Sequence, residues 1–258
     1  MTNVRLPTPC PPNSPLECRQ MQVGERSWTL FEKPRETRAP DDTAILWLPG
    51  VGVDTTRLEP FFRHVPQRVL LLDWASSVGH PLRAEAFTEA IVDLIAHVAP
   101  GRHVLIAQDI GCLLATLLAS YHAEFVQKLV LIAPPLSTPA SRAVRAGLLP
   151  VVGPVLRALV GDAVAAIHGA ERAPTPPEWA LLRESRRHAL YEARLTRLRT
   201  PTLFLVGHHD ALCNPHDAGR LSRAMPAASL VSFDAGHAPH FERPREVAAA
   251  VARFFAAS

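Results

Sequence analysis

Short, uninterrupted apolar runs alternate along this chain with longer stretches of helical periodicity. That alternation restricts it to a parallel sheet with crossover helices. Runs at 19–23, 28–31, 44–48, 68–72, 103–107, 129–132, 202–206 and 229–233 read as strands. The middle ones are continuously apolar, as strands covered on both faces must be. Helical spacing fits 83–98, 110–121, 215–224 and 244–255, and no internal repeat is present. Two segments stand outside the alternation. Residues 1–15 hold five prolines, so 1–16 is expected to be a loose arm. No convincing strand occurs between 132 and 202, where Pro150, Pro154, Pro174, Pro176 and Pro177 punctuate a stretch rich in Leu, Val, Ala and Arg. A structureless loop of that length is rare inside a compact domain. Residues 136–199 are therefore read as a helical insertion over the sheet's carboxyl edge, with 17–135 and 200–258 as the core around it.

With 258 residues the chain can build one large α/β domain. Its net charge of +3, from 27 basic and 24 acidic residues, is too small and too scattered to suggest a nucleic-acid partner. The longest apolar run, 107–119, is broken by Gln108, Asp109 and Thr116, which argues against a membrane span. The N-terminus shows no basic-then-apolar leader pattern. Cys10, Cys18, Cys112 and Cys213 lack CxxC or metal-ligand spacing and read as reduced thiols of a cytoplasmic protein, a Cys10–Cys18 disulfide being the alternative.

In open parallel sheets ligands bind beyond the carboxyl ends of the strands, so the residues following each strand carry the chemistry. After 103–107 comes Ala107-Gln108-Asp109-Ile110-Gly111, running straight into a helix. This small-x-nucleophile-x-small spacing is that of a nucleophile elbow, where small flanking residues allow a tight turn. The bland alternative for Asp109 is a helix N-cap. After 202–206 comes Gly207-His208-His209-Asp210, and after 229–233 comes Asp234-Ala235-Gly236-His237-Ala238-Pro239-His240. Nucleophile, acid and histidine thus follow in the order Asp109, Asp210, His237, with Asp234 as the fallback acid and a turn-forming role as the plain reading of Asp210. Leu48-Pro49-Gly50-Val51-Gly52 supplies a Gly-rich turn whose Val51 amide, with that of Ile110, can face a developing oxyanion.

From about residue 17 to its end the chain resembles the α/β-hydrolase superfamily. The stretch Gly236-His237-Ala238-Pro239-His240-Phe241-Glu242-Arg243-Pro244 is similar to the GHxPHxExP tail of its epoxide-hydrolase, dehalogenase and C–C hydrolase branch. The resemblance implies an eight-stranded, mostly parallel sheet flanked by helices, with a small helical cap matching the insertion. It also implies Asp109 as nucleophile, Asp210 as charge partner and His237 as base, where most relatives carry serine at the first position.

A carboxylate attacking an acyl carbon would give a reactive anhydride, so its better use is attack on a saturated carbon bearing a leaving group. The leading expectation is a covalent alkyl ester on Asp109, formed from an epoxide of a small apolar or specialised metabolite. Dehalogenase chemistry is less favoured, because Ile110 replaces the Trp or Arg usual after the aspartate and the oxyanion turn lacks Asn. A lyase, cyclase or isomerase using Asp109 and His237 as acid and base is the enzymatic rival. A silent small-ligand-binding protein is the rival from another class. Tyr191, Trp74 and Gln108 are the candidate substrate contacts, Tyr191 doubling as proton donor. No cofactor and no metal are expected, since His208, His209 and His240 are explained by the hydrolase pattern. The expected partner is a small-molecule substrate, with no membrane and a homodimer left open.

Overall fold

The computed structural model describes residues 16–24, 26–36, 43–52, 55–73, 83–136, 159, 161–166, 168, 170, 172–185 and 188–257. Eight strands form one sheet: β1 (Glu17–Val23), β2 (Arg26–Lys33), β3 (Ile45–Leu48), β4 (Val69–Asp73), β5 (His103–Gln108), β6 (Val126–Ile132), β7 (Thr202–Gly207) and β8 (Ala228–Phe233). Their spatial order is β1-β2-β4-β3-β5-β6-β7-β8. β1 and β2 run antiparallel to each other, as do β2 and β4; every later pairing is parallel. This is the mostly parallel eight-stranded sheet that the resemblance implied.

Burial explains the sequence pattern. Every residue of β3, β5 and β7 is buried, because helices cover both faces of the sheet centre. The flanking helices are α1 (Glu59–Phe62), α2 (Ala84–Val98), α3 (Gly111–Tyr121), α4 (Pro176–Ser185), α5 (His188–Leu195), α6 (Pro215–Ala224), α7 (Pro239–Glu242) and α8 (Pro244–Ala256). α2 turns only its apolar stripe inward, whereas α3 is buried from Gly111 to Ala119, which is why its sequence is apolar almost all round. Trp28 stacks on Phe87 at 5.6 Å between ring centroids, and Trp47 packs between Phe61 at 5.3 Å and Phe62 at 5.6 Å. α6 begins where Asn214 accepts from the His216 amide and Pro215 presets the first helical φ. No described helix is long and apolar enough to cross a membrane.

One expectation is corrected. Cys18 is disulfide-bonded, its partner lying outside the described residues, while Cys112 and Cys213 are free and buried. A disulfide requires only that two chain segments come within reach, which no spacing rule encodes. The arm at 1–15 lies outside the described residues, although Leu16 beside it already belongs to the core.

Register brings four strand ends to one edge. Leu48 pairs with Ala107, Gln108 with Ile132, and Gly207 with Phe233, so the loops after β3, β5, β7 and β8 leave the sheet together. The tail motif is stitched onto this edge by Glu242, whose carboxylate oxygens both accept from the Gly236 amide at 3.0 Å. His240, three residues after His237, is wedged against Trp47 and Phe241, with centroids 5.5 and 4.1 Å away. Burial, helped by the neighbouring charges of His237 and Arg57, lowers its pKa from 6.5 to about 3.

The unfolded imidazole therefore takes up a proton near pH 6.5, while the folded one stays neutral until about 3. Stability from this site is complete above the higher value and declines as pH falls through the window below it, by about 2 kcal/mol at pH 5. His240→Phe should remove that slope. Denaturant unfolding of both proteins at neutral pH and at pH 5 measures it, and equal pH dependence would contradict the burial argument.

Candidate active site

The turn between β5 and α3 raises Asp109 from the sheet. Its φ of 49° lies in the left-handed region, where a non-glycine residue stores about 1–3 kcal/mol of strain and persists only if its surroundings over-determine it. They do so here. The Asp109 amide donates to the Ile132 carbonyl at 3.0 Å, extending the β5–β6 ladder by one bond. On the far side, α3 crosses the β3 exit so closely that a Cβ on Gly111 would stand 2.4 Å from the Leu48 carbonyl oxygen. Only glycine fits that crossing.

The Asp109 carboxylate is enclosed by three groups from three parts of the chain. The Val51 amide, on the turn after β3, donates to Oδ2 at 3.4 Å. His237 faces Oδ1 across 3.9 Å with its Nε2. His168 Nδ1 lies 2.9 Å from Oδ2. Side-chain exposure of Asp109, His168 and His237 is 4%, 4% and 6%, so these interactions are barely screened by solvent. Burial works to raise the Asp109 pKa. The charge and hydrogen bond of His168, the charge of His237 and the Val51 amide outweigh it and hold the carboxyl below the usual carboxylate value.

His237 is oriented from behind. Its Nδ1 donates to both oxygens of Asp210, at 3.0 and 2.9 Å. Asp210 is itself fixed by accepting the Leu212 and Cys213 amides at 2.7 and 3.0 Å. Burial disfavours the imidazolium, but the Asp210 pairing, with Asp109 and Glu242, raises the His237 pKa above its ordinary value. Asp234 sits elsewhere: it is exposed and pairs with His209 at 2.9 Å and Arg243 at 3.3 Å.

The remaining sequence candidates divide. Ile110 is buried at the mouth of α3, among the first-turn residues whose amides a helix leaves free. Gln108 is buried at the end of β5, and its Oε1 has no described protein partner. Tyr191 is buried on α5, and its hydroxyl accepts from Thr116 Oγ1 of α3 at 3.4 Å. Trp74 lies outside the described residues.

Sequence reasoning missed His168 and Glu178. His168 ends the helical run 161–166, its amide donating to the Val164 carbonyl at 3.1 Å. Glu178 on α4 is fully buried and holds the turn after β3. It accepts from the Gly52 amide at 2.7 Å, the Thr175 amide at 2.6 Å, and Arg172 Nη1 and Nη2 at 2.7 and 3.1 Å. Gly52 has a φ of +60°, and a Cβ there would sit 2.5 Å from the Arg172 carbonyl oxygen. The insertion is thus latched to the turn that presents Val51. Charged residues are common through this insertion, so no local pattern singled these two out.

The architecture recurs in solved structures at low sequence identity, which speaks to the fold alone. A thermophilic esterase from Thermogutta terrifontis superposes with a TM-score of 0.71 at 20% identity, covering 93% of this chain and 98% of that one. The enol-lactonase from Burkholderia xenovorans LB400 gives 0.68 at 18%, covering 92% and 100%. A thioesterase domain from the curacin biosynthetic pathway gives 0.67 at 17%, covering 92% and 99%. No curated protein matches the sequence significantly. The family model described as "Alpha/beta hydrolase family" matches residues 45–250, most of the length, and the chain belongs to that family.

Proposed function

We propose that this chain is a cofactor-independent hydrolase in which Asp109 forms a covalent alkyl ester with a small apolar electrophile, an epoxide foremost. The observation that carries the reading is the placement of one carboxylate between the Val51 amide and the His237 imidazole, on a backbone turn strained into the left-handed region. The esterase, lactonase and thioesterase neighbours support hydrolytic chemistry in general. The aspartate in place of serine argues for a saturated carbon as the target, because an acylated carboxylate would be an anhydride.

In the first step Asp109 Oδ1 attacks the less hindered epoxide carbon. The carbon–oxygen bond of the ring breaks, and the released oxygen takes a proton from His168 to become a hydroxyl. His168 is the group from the insertion that stands against Asp109, its Nδ1 2.9 Å from Oδ2. In the second step His237, steadied by Asp210, removes a proton from water, and the hydroxide attacks the ester carboxyl carbon. The Val51 and Ile110 amides hold the tetrahedral oxyanion. Collapse frees the product oxygen, which takes the proton from His237 to complete the diol, and the carboxylic acid left on residue 109 returns its proton to His168, restoring the carboxylate. Base assistance of this kind is typically worth about 10²–10⁴-fold. The insertion, read as a cap latched by Glu178, excludes bulk water and confines the substrate.

A second reading has an observation of its own. The His168–Asp109 contact gives the carboxylate a proton-sharing partner, which suits acid–base work in an elimination or isomerisation. Trapping separates the two. With styrene oxide as probe, His237→Gln should accumulate an adduct of substrate mass on the peptide containing Asp109, and Asp109→Ala should lose both adduct and turnover. Turnover by the wild type with no adduct in His237→Gln would overturn the ester.

The latch makes a separate prediction. Glu178→Ala strands the Gly52 amide and Arg172, and should lower stability by about 2–4 kcal/mol, seen as a drop in melting temperature. Arg172→Ala should cost less, since its side chain is 42% exposed. Thermal unfolding of both variants tests this, and an unchanged melting temperature for Glu178→Ala would contradict the latch.

A further inference from the structure

We propose that Asp109, His168 and His237 together form a binding site for a divalent transition-metal ion of the Zn²⁺ class. Each offers one ligand atom, the three atoms lie within 4.8 Å of one another, and all three residues are buried. Zinc binds imidazole nitrogen and carboxylate oxygen at about 2.0–2.2 Å, which places neighbouring donors roughly 3.3 Å apart. Here the separations are 2.9 Å from His168 Nδ1 to Asp109 Oδ2 and 3.9 Å from His237 Nε2 to Asp109 Oδ1. Small side-chain rotations close the difference.

Two further observations point to a ligand. His237 Nε2 is buried without a hydrogen-bond partner among the described residues, and it is the atom aimed at Asp109. Its other nitrogen donates to Asp210, the carboxylate–imidazole arrangement that fixes the tautomer and ring orientation of a metal-bound histidine. The two rings stand at 90° with centroids 5.3 Å apart, so they approach a shared point from different directions. Two imidazoles and one carboxylate favour Zn²⁺, Co²⁺ or Ni²⁺ over the oxygen-preferring Ca²⁺ and Mg²⁺. Three protein donors also leave a fourth position open for water or an anionic ligand. No spacing pattern links the three, because His168 arrives from the insertion.

Binding itself is independent of the hydrolytic reading, but one consequence rests on it: an ion held here occupies both Asp109 and His237 and so suppresses ester formation. The test uses the full chain, stripped with a chelator and titrated with Co²⁺ alone and then Zn²⁺. Expected are one ion per chain, the visible absorption bands of four-coordinate Co²⁺ bleached by Zn²⁺, and a raised melting temperature. His168→Gln and His168→Ala should both weaken binding at least 10-fold, and Asp210→Asn by about 10–100-fold. His209→Ala, at an exposed histidine away from the cluster, should bind as the wild type does. Absence of the bands, or equal binding by wild type and both His168 variants, would overturn the site. Adduct trapping is read without metal, so loss of the metal site leaves the ester result standing, and the converse also holds.

Discussion

The arrangement depends on one close crossing: the first turn of α3 passing the carbonyls that end β3, a space only Gly111 can occupy. That crossing forces β5 to leave the sheet through a left-handed residue and puts a carboxylate, rather than a backbone group, at the point where four strand ends converge. A side chain so placed cannot retreat into a more relaxed rotamer or turn without separating the helix from the sheet. The strain at Asp109 is therefore paid by the packing of α3, which is buried over nearly its whole length.

Electrostatics follow from that placement. A carboxylate this deep would favour its neutral form if left alone. Two imidazoles and a backbone amide reverse the preference, and Asp210 behind His237 keeps one imidazole supplied with a compensating charge. The site is thus a continuous row of contacts running from Asp210 through His237 to Asp109 and on to His168. Buried imidazoles and carboxylates in such a row are suited to moving a proton or steadying a developing charge. Through Glu178 the insertion is tied to the backbone next to Val51, so the two segments are mechanically joined.

What could be read from the sequence was whatever local pattern encodes. Continuous apolar runs gave the buried parallel strands, and Ala107-Gln108-Asp109-Ile110-Gly111 gave the elbow because a sharp turn needs small residues at fixed positions. Asp210 and His237 were legible because each directly follows a strand whose end lies at the same edge. His168 and Glu178 were not, since their positions depend on how the insertion docks, which depends on tertiary contacts with no periodic signature. Tyr191 was legible as a tyrosine of the insertion, and the structure places it buried with its hydroxyl 3.4 Å from Thr116 Oγ1 of α3. The disulfide at Cys18 was the lesser alternative in the sequence, ranked below reduced thiols because a leader pattern was missing rather than on any structural ground.

The central claim, that the Asp109 carboxylate itself becomes bonded to substrate, is tested most directly by a single turnover in water labelled with heavy oxygen. The account predicts unlabelled product and label in the carboxylate of residue 109, found by mass spectrometry of the peptide that contains it. Label in the product, with residue 109 unlabelled, would contradict it.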